Sequence, residues 1–271
     1  MIQYLYLDRM DYGEALRLQQ ELVALRTQGR IGNVLLLLEH PPVLTLGRNA
    51  RRANILASEE LLAARGVALY EINRGGDVTY HGPGQLVGYP VFDLRSLHNA
   101  KAGLPGRGAR IGPVDFVRLM EEALIRLCGE FGVAAGRISG LTGVWCGLPP
   151  GPADGIALDK CCRRATNVIR NQDRPEAKIA AIGIHVARGV TSHGFAFNVS
   201  TDLDGFRLIN PCGITDRAVT SLAREISDPD ALPTLKALAH RAAQQFGVVF
   251  GEPIHALENL AALCTHPIYV L

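Results

Sequence analysis

The stretch "RLINPCGITDRAV" sets Cys212 between Pro211 and Gly213 at the end of an apolar run. A lone cysteine in an intracellular chain is ordinarily a small buried hydrophobe, since free cysteine is among the most buried residue types. The flanks of Cys212 point the other way. Pro211 fixes the chain direction and Gly213 removes a side chain beside the sulfur, which leaves the thiol accessible. The thiolate is the reactive form, and a free pKa of about 8.5 calls for a nearby cation or base. His81, His185 and His193 could form a Cys–His pair; Lys178, which opens "KIAAIG", could serve instead. Such a lysine is ordinarily a solvated strand end whose stem snorkels to water. Held in a pocket, it would be desolvated below its usual pKa of about 10.4 and become a base near neutrality. Residue types alone leave lysine and histidine both open.

The densest local signal is "NRGGDVTYHGPGQLVGYP", which gathers Arg74, Gly75, Gly76, His81, Gly82, Pro83 and Gly84. Its glycines free backbone N–H groups to approach a ligand, Arg74 adds a fixed charge, and Tyr80 and His81 add hydrogen-bonding side chains. Gly/Pro-rich segments are also commonly plain turns. The stretch matches neither the phosphate-loop pattern nor a dinucleotide fingerprint. Cys161 and Cys162 are adjacent and Cys146 lies well upstream, without the paired spacing of a tetrahedral zinc site, so no metal is expected.

The elements that must position these groups follow from periodicity. Asp11 can cap a helix burying Ala15, Leu18, Leu22 and Leu25, and "NVLLLLEH" reads as a buried strand stopped by Pro41 and Pro42. A second helix from Asp115 would put Phe116, Leu119, Met120, Ala123, Leu124 and Leu127 on one face. A third lies in "LPTLKALAHRAAQQFG", with Gly247 as its stop. Strand-like runs are "VALYEI", "LVGYPVFDL", "LTGVWC", "KIAAIGIHVARGV", "HGFAFNVS" and "FRLI". Because strands come in successive runs, the fold class is α/β of the α+β type, a mixed or antiparallel sheet with helices packed on it. The stretch "HNAKAGLPGRGARIGP" reads as a loop, and the long polar connection between Trp145 and Lys178 reads as a surface insertion at 146–177 of a single 1–271 domain.

Composition narrows the function. The 271 residues carry a net charge of +2 with scattered basic residues, unlike a nucleic-acid binder. The N-terminus has no signal-peptide pattern, and "VLLLL" is far short of the roughly 20 apolar residues that span a bilayer. A cytoplasmic protein with no membrane partner is expected. Six cysteines without framework spacing suit free thiols in a reducing compartment.

Taken in order, "LLLLEHPPVLTLGRN", "RGGDVTYHGPGQLVGYPVFDL", "GVW", "KIAAIGIHV" and "HGFAFNVSTDLDGFRLINPCGI" resemble the lipoyl(octanoyl) transferase family, from roughly residue 4 to 225. The resemblance implies the fold shared by biotin and lipoate ligases, a larger mixed sheet with a smaller one flanked by helices. It implies transfer of an octanoyl group from octanoyl-acyl carrier protein to a lysine of lipoyl domains, those of 2-oxoacid dehydrogenases and of the glycine cleavage H protein. The family's nucleophile falls on Cys212 and its lysine on Lys178. Its substrate contacts fall on Arg74, Gly75, Gly76, Asp77, Val78, Thr79, Tyr80 and His81, on Ala181, Ile182 and Gly183, and on Gly194, Phe195 and Ala196. The "CCRR" insertion and the loop near Lys101 are longer than the family leads one to expect. The thioester already stores the activation energy, so no ATP or other cofactor is expected, and a monomer is the default. Backbone N–H groups around Ile182 and Gly183, or His81, are the candidates for stabilising an oxyanion, and small residues such as Gly75, Gly76, Ala181 and Ala196 would leave room for the tail. The rivals are an ATP-dependent lipoate or biotin protein ligase on the same fold, a noncatalytic module that holds an acylated carrier, and a Cys–His hydrolase.

Overall fold

The structure is a computed structural model, and it describes residues 1–97, 111–148, 175–210 and 218–264. The first half runs β1 (Ile2–Arg9), α1 (Tyr12–Thr27), β2 (Asn33–Glu39), β3 (Val43–Leu46), α2 (Glu59–Ala64), β4 (Ala68–Glu71), β5 (Val78–His81) and β6 (Gln85–Val91). The second runs α3 (Pro113–Glu130), β7 (Ala135–Ile138), β8 (Leu141–Cys146), β9 (Ala177–Ala187), β10 (Val190–Asn198), β11 (Ala218–Val219), α4 (Leu222–Glu225), α5 (Leu235–Phe250) and β12 (Ile254–Ala256). The large sheet has the order β12-β1-β2-β6-β10-β9-β8-β7, with β11 added beside the start of β9. The small sheet is β4-β3-β5. Both are mixed: β1 is parallel to β2 and β12, β2 is antiparallel to β6, and β3 is parallel to β4 but antiparallel to β5.

The run in β2 is wholly apolar because both faces of the large sheet are covered. Leu35 and Leu37 join the cluster under α3 and α5, while Val34, Leu36 and Leu38 join the one under α1. On the first face Phe92, Phe116 and Phe250 meet with ring centroids 5.4–5.8 Å apart, and Phe195 stacks on Phe246 at 5.5 Å. Burying each such ring is worth about 1.5–3 kcal/mol, so this side anchors the sheet. Asp11 caps α1 as expected, accepting from Gly13 N at 2.8 Å and Glu14 N at 3.2 Å. Among the described residues no helix is long and apolar enough to cross a membrane.

Four expectations change. Helix α5 runs through Gly247 and ends at Gly251, whose φ is +67°. Gly247 serves packing instead, since a Cβ there would lie 2.4 Å from Ile254 Cγ1. The run "KIAAIGIHVARGV" is broken at Arg188 and Gly189, both at positive φ, which turns β9 into β10 through a two-residue hairpin. "FRLI" lies within and just after a 3-10 helix, Leu203–Leu208, started by Asp202 accepting from Asp204 N. Leu203 and Phe206, three apart, both enter the small-sheet core, which a three-residue turn satisfies. Helix α3 begins at Pro113, with Gly112 N donating to Asp115.

Candidate active site

The glycine-rich loop docks on the large sheet: Gly75 N donates to Ile184 O at 2.9 Å. Arg74 is buried and its guanidinium is turned inward. Nε donates to Thr45 Oγ1 (3.2 Å), Nη2 to Thr45 O (2.6 Å) and Nη1 to Gly75 O (3.0 Å), which ties the loop to β3. Asp77 accepts from Val78 N (2.7 Å), Arg51 N (3.2 Å) and Asn54 Nδ2, so its carboxylate holds the neighbouring loop in place. Strand β5 then alternates. Thr79 and His81 face a cavity, while Val78 and Tyr80 turn into the small-sheet core, where Tyr80 meets Phe206 edge-on at 5.5 Å.

That cavity has a volume of about 750 Å³ and is lined from both sheets. Arg74, Gly75, Gly76, Asp77, Thr79, His81, Lys178, Ala181, Ile182, Gly183, Gly194, Phe195 and Ala196 all border it; of the substrate contacts that the resemblance implies, Val78 and Tyr80 do not, and neither does the candidate base His185. Sequence reasoning missed Tyr12, Tyr89, Asn49, Arg51 and Asn54, which also border it. The last three lie in "GRNARRAN", where polar residues crowd directly behind a strand, and that crowding was the available signal.

His40, His81 and His193 are held neutral. Burial, aided by nearby His40 and Arg74, pushes His81 down to about 3; its Nδ1 donates to Gln85 Oε1 at 2.8 Å. Burial also pushes His40 and His193 down to about 4. His40 Nδ1 donates to Met10 O and its Nε2 accepts from Tyr89 OH, both at 2.7 Å, while His193 Nε2 donates to Asn73 Oδ1 at 2.7 Å. Imidazoles so depressed are poor proton acceptors near neutrality. Burial likewise raises the thiols of Cys128 and Cys146, the latter to about 12, which leaves neither a ready thiolate.

Lys178 is the second residue of β9, half-buried, with its Nζ 4.6 Å from the centroid of the Trp145 ring. Trp145 is its cross-strand partner on β8, and Val219 of β11 pairs with it on the other side. Thr220 N donates to Lys178 O at 2.9 Å. Cys212 lies outside the described residues, as do Lys101, Cys161 and Cys162. Its described neighbours border this region: Asn210 N donates to Asn54 O at 2.7 Å, and Ala218 pairs with Ala177. The expected insertion is described only at its ends, where Cys146 pairs with Ala177.

The chain matches the lipoyl protein ligase A/B catalytic domain family over residues 11–247. It is 54% identical to an octanoyltransferase of Acidobacterium capsulatum over 259 residues, 96% of this chain and 94% of that one. It is 48% identical to an octanoyltransferase of Koribacter versatilis, over 98% of this chain and 91% of that one. Among solved structures, a bipartite lipoate protein ligase from Thermoplasma acidophilum superposes with a TM-score of 0.60 at 15% identity, over 97% of this chain and 89% of that one, a likeness of fold alone. The two-sheet fold, the cavity between the sheets and the high identity to these relatives agree, and the chain belongs to the lipoyl protein ligase A/B catalytic family and, within it, to the octanoyltransferase group of acyltransferases.

Proposed function

We propose that this chain moves an octanoyl group from octanoyl-acyl carrier protein to a lysine of a lipoyl domain, through an acyl-enzyme on Cys212 with Lys178 as its base. The observation that carries this reading is the position of Lys178, an amine on the wall of an acyl-sized cavity, flanked by the backbone of β11. Cys212 follows Asn210 by two positions, a chain distance of at most about 7 Å, and Asn210 is bonded to cavity-lining Asn54. The neutral, hydrogen-bonded His81 and His193, the absence of His185 from the cavity lining, and the raised thiols of Cys128 and Cys146 support the choice of Lys178 and Cys212 over the other pairs.

In the first half-reaction Lys178 takes the thiol proton and the sulfur attacks the carrier's thioester. A carbon–sulfur bond forms, the old one breaks, and the departing thiolate recovers the proton from Lys178. In the second half the acceptor's neutral amine attacks the acyl-enzyme. Lys178 accepts the amine's proton and returns it to the Cys212 thiolate as the amide forms. Thioester-for-thioester exchange is nearly balanced, and amide formation supplies the drive.

Intact-mass measurement after incubation with octanoyl-acyl carrier protein, without ATP, tests this. The expected result is an octanoyl adduct that Cys212→Ser lacks and that a lipoyl domain discharges onto its own lysine. Strict dependence on ATP would return the chain to the ligase reading, and release of free octanoate alone would return it to the hydrolase.

A further inference from the structure

We propose that the oxyanion formed in both half-reactions is held by the Thr79 hydroxyl and the Asn198 side-chain amide, in a small recess beside Lys178. This rests on the transfer reading above and specifies groups that it leaves open. Next to the main cavity lies a second space of about 20 Å³, and Thr79, Lys178, Ala181 and Ala196 border both. Ala181 and Ala196 are cross-strand partners on β9 and β10, so two methyl groups form much of the partition. Gln85, Asn198, Phe206 and Val219 complete the smaller space. A recess of this size accepts one water-sized group. An acyl chain lying in the larger cavity, with its carbonyl carbon at the partition beside Lys178, directs one oxygen into the smaller. The candidates read from sequence, Ile182, Gly183 and His81, border only the larger.

The recess has donors whose orientation is fixed from behind. Gln85 Nε2 donates to the backbone carbonyl of Tyr80 (3.3 Å) and to Asn198 Oδ1 (2.8 Å). Asn198 Nδ2 donates to the backbone carbonyl of Thr220 at 2.9 Å. Since a backbone carbonyl can only accept, both amides have a single consistent orientation, and Asn198 keeps one N–H beyond that bond. Thr79, 8% exposed, borders both spaces, so its side chain stands at the partition between them. Donors already aimed at the place where charge develops on oxygen stabilise it without reorganising.

When the Cys212 sulfur bonds to the thioester carbon, the carbonyl π pair moves onto oxygen, and the Thr79 O–H and Asn198 N–H donate to it. Collapse re-forms the C=O bond and expels the carrier thiolate, which takes its proton from Lys178. No further reagent enters.

Steady-state kinetics on the full chain test the assignment with Thr79→Val, which keeps the side-chain shape and removes the hydroxyl. The expected result is a kcat lowered roughly 100-fold, with the KM for the octanoyl carrier within threefold of the parent. Thr79→Ser restores most of the rate. The pH profile of Cys212 alkylation by iodoacetamide stays unchanged, because thiol and base are intact. If Thr79→Val fails to fold, Thr79→Ala must show the same loss in kcat. Parental kcat in a folded variant, a loss confined to KM, or an equal loss in alkylation rate would overturn the assignment. An octanoyl adduct that survives Cys212→Ser overturns the transfer reading along with it, whereas an adduct on Cys212 with parental kcat in Thr79→Val overturns only the oxyanion assignment.

Discussion

The two walls of the cavity are built on opposite principles. The large-sheet wall offers small side chains, Ala181, Gly183, Gly194 and Ala196, on strands held by a deep apolar core, with Lys178 among its polar contributions. The small-sheet wall offers a dense set of polar groups, Arg74, Asp77, Thr79 and His81, of which Arg74 and Asp77 bond to their own loops and strands and His81 to Gln85 of the large sheet. One wall makes room and the other makes shape. Polar residues clustered at a cavity are therefore not all substrate contacts: Arg74 and Asp77 hold the loop whose backbone faces the cavity.

The comparison breaks first at Lys178. Lys178→Ala is expected to slow Cys212 acylation at pH 7 by roughly 100- to 10,000-fold, with partial recovery as the pH approaches the free-thiol value of about 8.5. Rapid-quench acylation rates across pH check this, and full activity at pH 7 would move the base to the small-sheet wall. A smaller effect is expected from Val87→Phe, which fills space on the large-sheet wall away from the recess beside Lys178. The ratio of kcat/KM for octanoyl over butanoyl donors should fall about 10-fold, on the scale of one or two methylenes in an apolar pocket. An unchanged ratio would place the tail elsewhere.

The least effect on turnover, and one confined to stability, comes from the histidines. His40, His81 and His193 are depressed by burial to about 4, 3 and 4. Between those values and the unfolded value of about 6.5, the unfolded chain binds more protons, so stability falls as the pH drops through that window. Urea unfolding should show a loss on the order of a few kcal/mol between pH 7 and pH 5. A midpoint that stays flat would mean these imidazoles are more solvated than their surroundings imply.

Much of the frame could be read from local pattern. Asp11 announces α1, the wholly apolar run in β2 announces two-sided burial, and "LTGVWC" coincides with β8. Gly247 and "FRLI" misled because their roles depend on Ile254 and on the small-sheet core, both set by tertiary packing. At the site, the resemblance carries over residues 74–81 as one block, whereas strand alternation alone turns Val78 and Tyr80 away from Thr79 and His81. Tyr12 comes from the first turn of a helix and carries no motif. Glu121 was equally hidden: among apolar helix positions it is fully buried, and besides Arg118 on its own helix its partners Arg137 and Gly143 N are distant in sequence.

The pairing of Cys146 with Ala177 means that the chain leaves the large sheet and rejoins it on a single rung. Closing a longer excursion between two fixed neighbours costs only about 0.6 kcal/mol per doubling of length. Residues 147–176 can therefore be lengthened, trimmed or rewritten over evolutionary time while Lys178, one rung away, keeps its alignment with Trp145. The sheet thus insulates the Lys178 amine from drift in the neighbouring connection.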